Sequence, residues 1–572
     1  MTPVGNGQEP EVETMLIGID VGGTYTDGVL FSDGSVLHSV KHPTDENDLT
    51  GTLLSVLDEL LAHGDAKGVR RVVLSTTLVT NLLATGRGER TALLLLPGSG
   101  LPFSAYRISP DTYFLKGGID FRGRQIEATD TKEIEETLRK VHESGIERVA
   151  VAGKFSNRND THERTVRDLA QSLYPHMDVC TSNEISGRLN FPRRAVTCYY
   201  TAMTIREWNR FADGIEAAVR ARVPHSDLHI LKADGGTATL EASRMRPCET
   251  VFSGPAASTM GTMALSRETL NAVSVDVGGT TSDISLLIEG MPLYASRGAL
   301  IGGHLTHINS FAVRSIALGG DSCVREESGR LRVGPMRLGP AACLGGEAPT
   351  VTDAFNLLNG LGVGNPDASR EKLEAVAASL GESVDGLCRM VADEVVVTLE
   401  RNIEEMFELW EDEPAYKVWE VVHKRKFELH RVIGIGAAAS AIIPVLARKM
   451  GVGHFLHRYS PVANALGAAV ARPTMAVEVH IDTGRNTYTG FPGGLRGKVE
   501  KRNFQLDDAK ELAMNCLKEA SRERGLADYA DEAHVYLEEQ FNVIRGWEQE
   551  GKLFDVGIQI APGFIHEYKG VA

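Results

Sequence analysis

MLIGIDVGGTYTDGVLF at residues 15–31 returns as AVSVDVGGTTSDISLLI at residues 272–288. With Asp20 set on Asp276, the two stretches share Val21/Val277, Gly22/Gly278, Gly23/Gly279, Thr24/Thr280 and Asp27/Asp283, and Thr26 faces Ser282 with its hydroxyl kept. One D-x-G-G-T arises by chance. Two, 256 residues apart in matching contexts, mark an internal duplication. Each copy reads as a β-hairpin: an apolar, β-branched run leads into Gly-Gly and then into a second such run. The glycine pair permits positive φ and leaves no Cβ between the backbone and whatever approaches it.

Outward from the first copy, helix and strand patterns alternate. The periodicity predicts helices over 53–62, 76–84, 131–144 and 161–173, and strands over 71–74, 92–96 and 148–152. Around the second copy it predicts a long helical stretch over 373–409, a charged segment over 411–426, a strand over 431–435 and a helix over 437–450. From about residue 477 the character changes to a Gly-rich turn region over 489–497, an amphipathic helix over 507–522 and strand-like pieces to the end. The division expected is a disordered lead-in over 1–14, a first lobe over 15–193, a second over 194–476 and a small C-terminal α/β module over 477–572. Alternating helices and strands favour α/β layers.

A chain of 572 residues exceeds one hydrophobic core, so several domains are expected. With 60 Lys+Arg against 76 Asp+Glu, the net charge of −16 argues against a nucleic-acid partner, which needs a basic face. No apolar run reaches the roughly 18 residues of a membrane span, so no membrane association is expected. The first residues, MTPVGNGQEPEVET, lack the basic and apolar regions of a secretory signal. Seven dispersed cysteines without a C-x-x-C pair read as reduced core thiols, which gives a cytoplasmic expectation. His304/His307 and His454/His457 have i, i+3 spacing but no third ligand nearby, so they read as solvated or core histidines. No G-x-S-x-G, H-E-x-x-H or G-x-x-x-x-G-K-[ST] occurs.

In the doubled D-x-G-G-T-x-[ST]-D, the turns expose backbone N–H groups and the hydroxyls of Thr24, Thr26, Thr280 and Thr281 add donors, so each loop can cradle phosphate oxygens. Asp20 and Asp276, at strand ends, are placed to hold Mg²⁺ or Mn²⁺ directly or through water, because a hard cation on nucleotide phosphates takes few carboxylates. Asp27 and Asp283 are expected to orient those loops or act as bases. Two such loops face to face would grip a polyphosphate from both sides.

These hairpins resemble those that open each half of the actin/sugar-kinase/Hsp70 ATPase superfamily. More narrowly, the chain is similar to the hydantoinase A/5-oxoprolinase family. The resemblance rests also on STTLVTNLLATGRGERTALL (75–94), Phe252-Ser253-Gly254-Pro255-Ala256, LGGDSC (318–323), VGPMRLGPAACLGGEAPTVTDA (333–354) and ANALGAA (463–469). Leu74-Ser75 stands where family members carry His-Gly, and Leu318-Gly319-Gly320-Asp321-Ser322 where they carry Ala-Gly-Gly-Gly-Ser. The resemblance implies two ribonuclease-H-like, actin-like ATPase lobes around a nucleotide cleft. It implies an ATP- and Mg²⁺-dependent hydrolase of a hydantoin or 5-oxoproline-like cyclic amide, or alternatively a ketone carboxylase, a small-molecule kinase or a nucleotide-switched binding protein. A small-molecule substrate, a separate hydantoinase B-type subunit and an oligomeric assembly are implied as partners.

Within that resemblance Gly434-Ile-Gly436 gives the adenine and ribose room against the backbone; the same residues fit a dinucleotide fingerprint but lack its downstream acid. Ser253-Gly254 is either a turn beside the nucleotide or only a turn, and Gly319-Gly320-Asp321 stands the same way. Thr76, Thr77, Thr80 and Asn81 either face the γ-phosphate or cap a helix. Asp353 is either an N-cap partner or catalytic.

Overall fold

A computed structural model describes residues 14–45, 48–100, 102–412, 426–492, 494–501, 503–545 and 548–571. The lead-in over 1–14 and the charged segment over 411–426 therefore fall almost wholly outside the described residues.

Both copies of the repeat are antiparallel hairpins. Strands Met15–Val21 and Tyr25–Ser32 pair with Asp20 opposite Asp27, and strands Ala272–Val277 and Ser282–Ile288 pair with Asp276 opposite Asp283. Each hairpin then gains two parallel strands on the side of its first strand. In the first lobe these are Val69–Thr76 and Asp227–Leu231; in the second, Arg431–Ile435 and Gly453–Leu456. Ser35–Pro43 and Val313–Ile316 extend the other edges. The two sheets share one topology, the ribonuclease-H-like order, so the duplication seen in sequence is a duplication of the sheet. Apolar side chains on strand faces buried on both sides explain the near-continuous runs such as Val72, Val73 and Leu74.

The expected lobe boundary at 193/194 does not match the sheets. Asp227–Leu231 and Thr237–Thr239 lie in the first lobe's sheet. Residues 91–181 form an inserted parallel sheet, ordered Asp178–Thr181, Arg148–Gly153, Thr91–Leu96, Thr112–Phe114, with its own helices Thr131–Glu143 and Thr161–Leu173. The 32-residue helix Phe191–Arg222 carries the chain back from this insertion to complete the first lobe. Helix period alone does not reveal which sheet a later strand rejoins.

The expected helix over 373–409 is two helices, Pro366–Leu380 and Val384–Glu411. Gly381, at φ 71°, ends the first, and the Ser383 side chain caps the second by accepting from Gly386 N–H. The turn region over 489–497 is instead the hairpin of strands Thr487–Phe491 and Leu495–Lys498.

Those strands belong to a five-stranded antiparallel sheet that begins at Met475–Asp482 and packs helix Leu506–Glu523 on one face. Arginine–carboxylate pairs fasten this module to the first half of the chain: Arg122 to Asp482 (2.9 and 3.0 Å), Arg158 to Asp555 (3.0 Å), Arg188 to Glu478 (2.7 Å) and Arg496 to Asp160 (2.7 Å). Beyond it, residues 561–571 return to the first lobe, where Ile565 and Tyr568 join Leu16, Phe31 and Leu466 in one core.

Between the two lobes run helices Ser253–Ser266 and Ala463–Val470. They cross without room for side chains: a Cβ on Gly261 would stand 2.2 Å from Ala463 O, and one on Gly467 2.3 Å from Gly261 N. The small residues of ANALGAA are thus explained by packing, including the approach of Ala465 to Gly18 on the first strand.

Candidate functional site

The crossing helices set both hairpins at one place. Asn464, second residue of its helix, donates from Nδ2 to Asp20 Oδ2 (3.3 Å) and to Asp276 Oδ2 (3.1 Å). Ser258 Oγ, from the other helix, donates to Asp276 Oδ2 at 2.5 Å. The two turns meet as well: a Cβ on Gly279 would lie 3.9 Å from the Thr24 methyl. The doubled loops therefore face each other across the interlobe line.

The turns close identically, with Gly22 N–H on Tyr25 O (3.1 Å) and Gly278 N–H on Thr281 O (3.0 Å). Among the described residues, the N–H groups of Gly23, Thr24, Gly279 and Thr280 donate to no protein acceptor, and the hydroxyls of Thr24, Thr280 and Thr281 make no protein hydrogen bond. Gly23 and Gly254 face open space where a Cβ would stand. Thr26 departs from the expectation of a phosphate contact: it is fully buried and its hydroxyl pairs with Thr44 Oγ1 at 2.9 Å. Its counterpart Ser282 likewise donates to Leu318 O (2.6 Å). The seventh position of the repeat holds the next segment in place.

The four aspartates differ. Asp27 is paired with Lys41 at 2.5 Å, although burial still raises its pKa. Asp276 is occupied by Ser258 and Asn464. Asp20 is 5% exposed and its Oδ1 has no partner; burial raises its pKa to about 7, the charges of Asp27 and Asp276 add to this, and Ser75 and Asn464 oppose it. Asp283 Oδ1 is also without a partner, and burial, with the Asp276 charge next, takes its pKa to about 7. Buried carboxylate oxygens left unmatched are costly unless something else completes them. Among the described residues no three His, Cys, Asp or Glu form a metal-holding group, so the histidine pairs gain no third ligand, and His307 bonds instead to Ser186 Oγ (2.7 Å).

The other sequence-selected residues act mainly on these loops. Gly319-Gly320-Asp321 lies against the second turn: Gly320 N–H reaches Gly278 O (2.9 Å), Asp321 N–H reaches Gly279 O (2.7 Å), and a Cβ on Gly319 would stand 2.5 Å from Gly279 O. Asp321 is held by Arg337 at 3.1 Å. Gly436, at φ 87°, leaves space for Asp276, since a Cβ there would lie 2.4 Å from Asp276 Oδ1. Gly434 lies under Ile443 and Leu456, and the absence of a Cβ there admits helix Ala439–Met450.

Ser253 ties the end of strand Val69–Thr76 to helix Ser253–Ser266: Oγ accepts from Thr76 N–H (3.2 Å) and donates to Thr76 O (3.0 Å). Thr80 Oγ1 accepts from Phe252 N–H (3.0 Å), so the polar helix opening braces this junction. Asp353 completes a capping box and takes five hydrogen bonds, from Ala342, Cys343 and Thr350 N–H and the Thr350 and Ser369 hydroxyls. It anchors loops. Asn464 and Ser258 were not selected from sequence, although Asn464 sits inside the quoted ANALGAA; an asparagine among alanines was the available signal.

Family models described as hydantoinase/oxoprolinase match residues 194–477, and as hydantoinase/oxoprolinase N-terminal region residues 16–174. The acetophenone carboxylase gamma subunit of Aromatoleum aromaticum is 28% identical over 444 residues, covering 66% of this chain and 59% of that protein. The 5-oxoprolinase of Saccharomyces cerevisiae is 24% identical over 541 residues, covering 80% of this chain and 41% of that protein. The chain thus spans about half the length of these relatives. Among solved structures, nucleotide-free acetone carboxylase superposes with TM-score 0.70 at 17% identity, over 97% of this chain and 88% of that one. The ATP-dependent caprolactamase of Pseudomonas jessenii superposes with TM-score 0.69 at 18% identity, over 95% and 87%. These likenesses establish the two-lobed fold. Among the described residues no helix is long and apolar enough to cross a membrane.

Proposed function

The chain belongs to the hydantoinase/oxoprolinase family, and from that premise we propose that it is an ATP-dependent enzyme that phosphorylates a carbonyl-derived oxygen of a cyclic amide before the ring opens. One observation carries the reading: two copies of one Gly-Gly turn face each other, with undonated N–H groups and with Asp20 and Asp276 joined through Asn464.

The N–H groups of Gly23, Thr24, Gly279 and Thr280 bind phosphate oxygens in this reading, with the three uncommitted threonine hydroxyls beside them. Asp20 and Asp276 fit a divalent cation: Asp20 Oδ1 is an orphaned buried acceptor, and two carboxylates plus phosphates suit Mg²⁺. Such a cation, when bound, neutralises charge on the transferring phosphoryl group. The acceptor oxygen forms its bond to the γ-phosphorus as the bridge to ADP breaks; positioning and electrostatics are most of what this asks of the protein. In this reading Asp283, whose Oδ1 has no partner and whose pKa burial raises to about 7, accepts a proton from the acceptor. Asp27 is not, being neutralised by Lys41.

The 28% identity to an acetophenone carboxylase gamma subunit favours a second reading, phosphorylation of a ketone enolate for carboxylation. That relative is named as a subunit, so a companion chain that completes the reaction belongs to both readings.

ADP release is the test, measured with ATP and Mg²⁺ across hydantoins, 5-oxoproline and simple ketones, with Asp20→Asn/Asp276→Asn as control. Substrate-stimulated release that the control lacks supports the enzyme and selects between readings. Absence of ATP binding by the wild-type chain refutes both.

A further inference from the structure

All seven cysteines are free thiols, but two of them are in contact. Strand Asp178–Thr181 is an edge of the inserted sheet, and Cys180 stands opposite Ala150 on its neighbour, Arg148–Gly153. Side chains alternate along a strand, so Cys180, Ala150 and Ala152 share the sheet face that helix Phe191–Arg222 covers, while Val179, Val149 and Val151 turn to the other core. Cys198, two turns into that helix, drops onto the same face. Its thiol donates to Cys180 O at 3.4 Å and lies 3.7 Å from Cys180 Sγ. Sulfurs at that distance touch, and side-chain rotation brings them to the roughly 2.05 Å of a disulfide.

The two thiols are unequal. Cys180, on the edge strand, is half-buried, whereas Cys198 is fully buried. Burial and the Cys180 sulfur hold the Cys198 thiol well above its ordinary pKa, so Cys198 stays protonated while Cys180 meets solvent first.

We propose that Cys180 and Cys198 are a modification site, a thiol pair that hydrogen peroxide converts to a disulfide. Peroxide transfers one oxygen to the Cys180 sulfur, which gives a sulfenic acid and a water. Cys198 Sγ then attacks that sulfur: the S–S bond forms, the S–O bond breaks, and the hydroxyl leaves with the Cys198 proton as a second water. The two sulfurs give up two electrons, which the O–O bond of peroxide takes, and a thiol reductant reverses the change.

The bond closes residues 181–197 into a loop, and that segment touches three parts of the molecule. Ser182 Oγ donates to Glu163 of the insertion (2.5 Å), Ser186 meets His307 of the second lobe (2.7 Å), and Arg188 meets Glu478 of the C-terminal module (2.7 Å). A cross-link across a loop of this length restricts its opened states, so oxidation locks the segment against those contacts.

The test treats the full reduced chain, freed of reductant, with hydrogen peroxide, digests it without reduction and reads the peptides by mass spectrometry. The expected product joins the peptides of Cys180 and Cys198, consumes two of the seven free thiols and returns to thiols with dithiothreitol. Cys198→Ser leaves Cys180 as a sulfenic acid that dimedone traps, and Cys180→Ser leaves Cys198 unreacted. Cys248→Ser, which removes a buried thiol 3.7 Å from Thr204 Oγ1, leaves the link unchanged. Limited proteolysis within residues 182–190 is slower in the oxidised protein by about tenfold or more. The proposal is overturned if peroxide leaves both sulfurs as thiols, or if Cys180 goes on to sulfinic acid without joining Cys198. It is overturned equally if another pair of cysteines joins instead, or if the link forms only in the urea-unfolded chain. Equal proteolysis of the two forms removes the locking. The wild-type map decides without any variant, so a misfolded serine variant does not affect the outcome, and none of these readings depends on ATP.

Discussion

Replacing Asp20 by Asn should flatten the pH dependence of stability in the first lobe. Asp20 has a pKa raised from the ordinary 3.8 to about 7 by burial, so the folded state binds its proton more tightly than the unfolded state does. Stability contributed by this group is therefore greatest at low pH and falls as pH rises from about 4 through 7. Between pH 5 and pH 8 the linkage integral for that shift comes to about 3 kcal/mol. For a domain of this size it corresponds to a midpoint change on the order of 5–10 °C. Asn cannot ionise, so Asp20→Asn should lose this decline and melt higher than wild type at pH 8, while the two converge towards pH 5. A residual slope from Asp283 should remain, reduced because the Asp20 charge helps to raise it. The assay is thermal melting of the ligand-free protein at pH 5, 6, 7 and 8. Parallel curves for variant and wild type would refute the reasoning, since they would mean that Asp20 titrates as an ordinary carboxyl.

The same proton competes with ligand. MgATP affinity measured by calorimetry should fall about tenfold per pH unit below 7, with proton release on binding that Asp20→Asn abolishes. Asn464→Ala removes the side chain that bridges Asp20 and Asp276 and one of the groups that opposes the Asp20 shift; ATP affinity should drop about tenfold and the pH midpoint should move upward. Gly436→Ala places a Cβ 2.4 Å from Asp276 Oδ1 at φ 87°, so a melting loss of about 1–3 kcal/mol with loss of ATP binding is expected. Arg122→Ala strands Asp482, whose side chain is 4% exposed, at a cost of about 3–5 kcal/mol. Limited proteolysis should then separate the module that starts at Met475 sooner than in wild type.

The hairpins were legible because their signal is local and doubled: strand period, Gly-Gly and flanking acids all fall within seventeen residues, twice. Helices Thr131–Glu143 and Thr161–Leu173 appeared within one residue of their expected ends for the same reason. What the sequence concealed is non-local. Strand Asp227–Leu231 belongs beside Val69–Thr76, about 150 residues earlier, because an inserted sheet intervenes, and no periodicity carries that pairing. The break at Gly381 was within reach, since Gly followed by Ser at the next cap is a stop and start signal. The glycines have a packing role that sequence did not show: Gly319, Gly434 and Gly436 make room for a neighbouring turn, a helix and an aspartate.

Duplication makes the four aspartates equivalent on paper, and burial separates them. Each hairpin has one acid on its leading strand and one opposite it, but the neighbours come from different elements. Lys41, on the strand that extends the first sheet, neutralises Asp27. The second sheet gives Asp283 no such cation, only Ser315 and two more carboxylates, Asp276 and Asp20. Ser258 reaches Asp276 alone and Asn464 both leading acids, which leaves the unmatched oxygen on Asp20. The result is one acid paired with a cation, one that takes two donors on its Oδ2, and two with an orphaned Oδ1, one on each lobe. If the repeat were only a pair of tight turns, nothing would require the unmatched oxygens to fall at the seam between the lobes. The ligand proposed above, held by both lobes, would account for their place there.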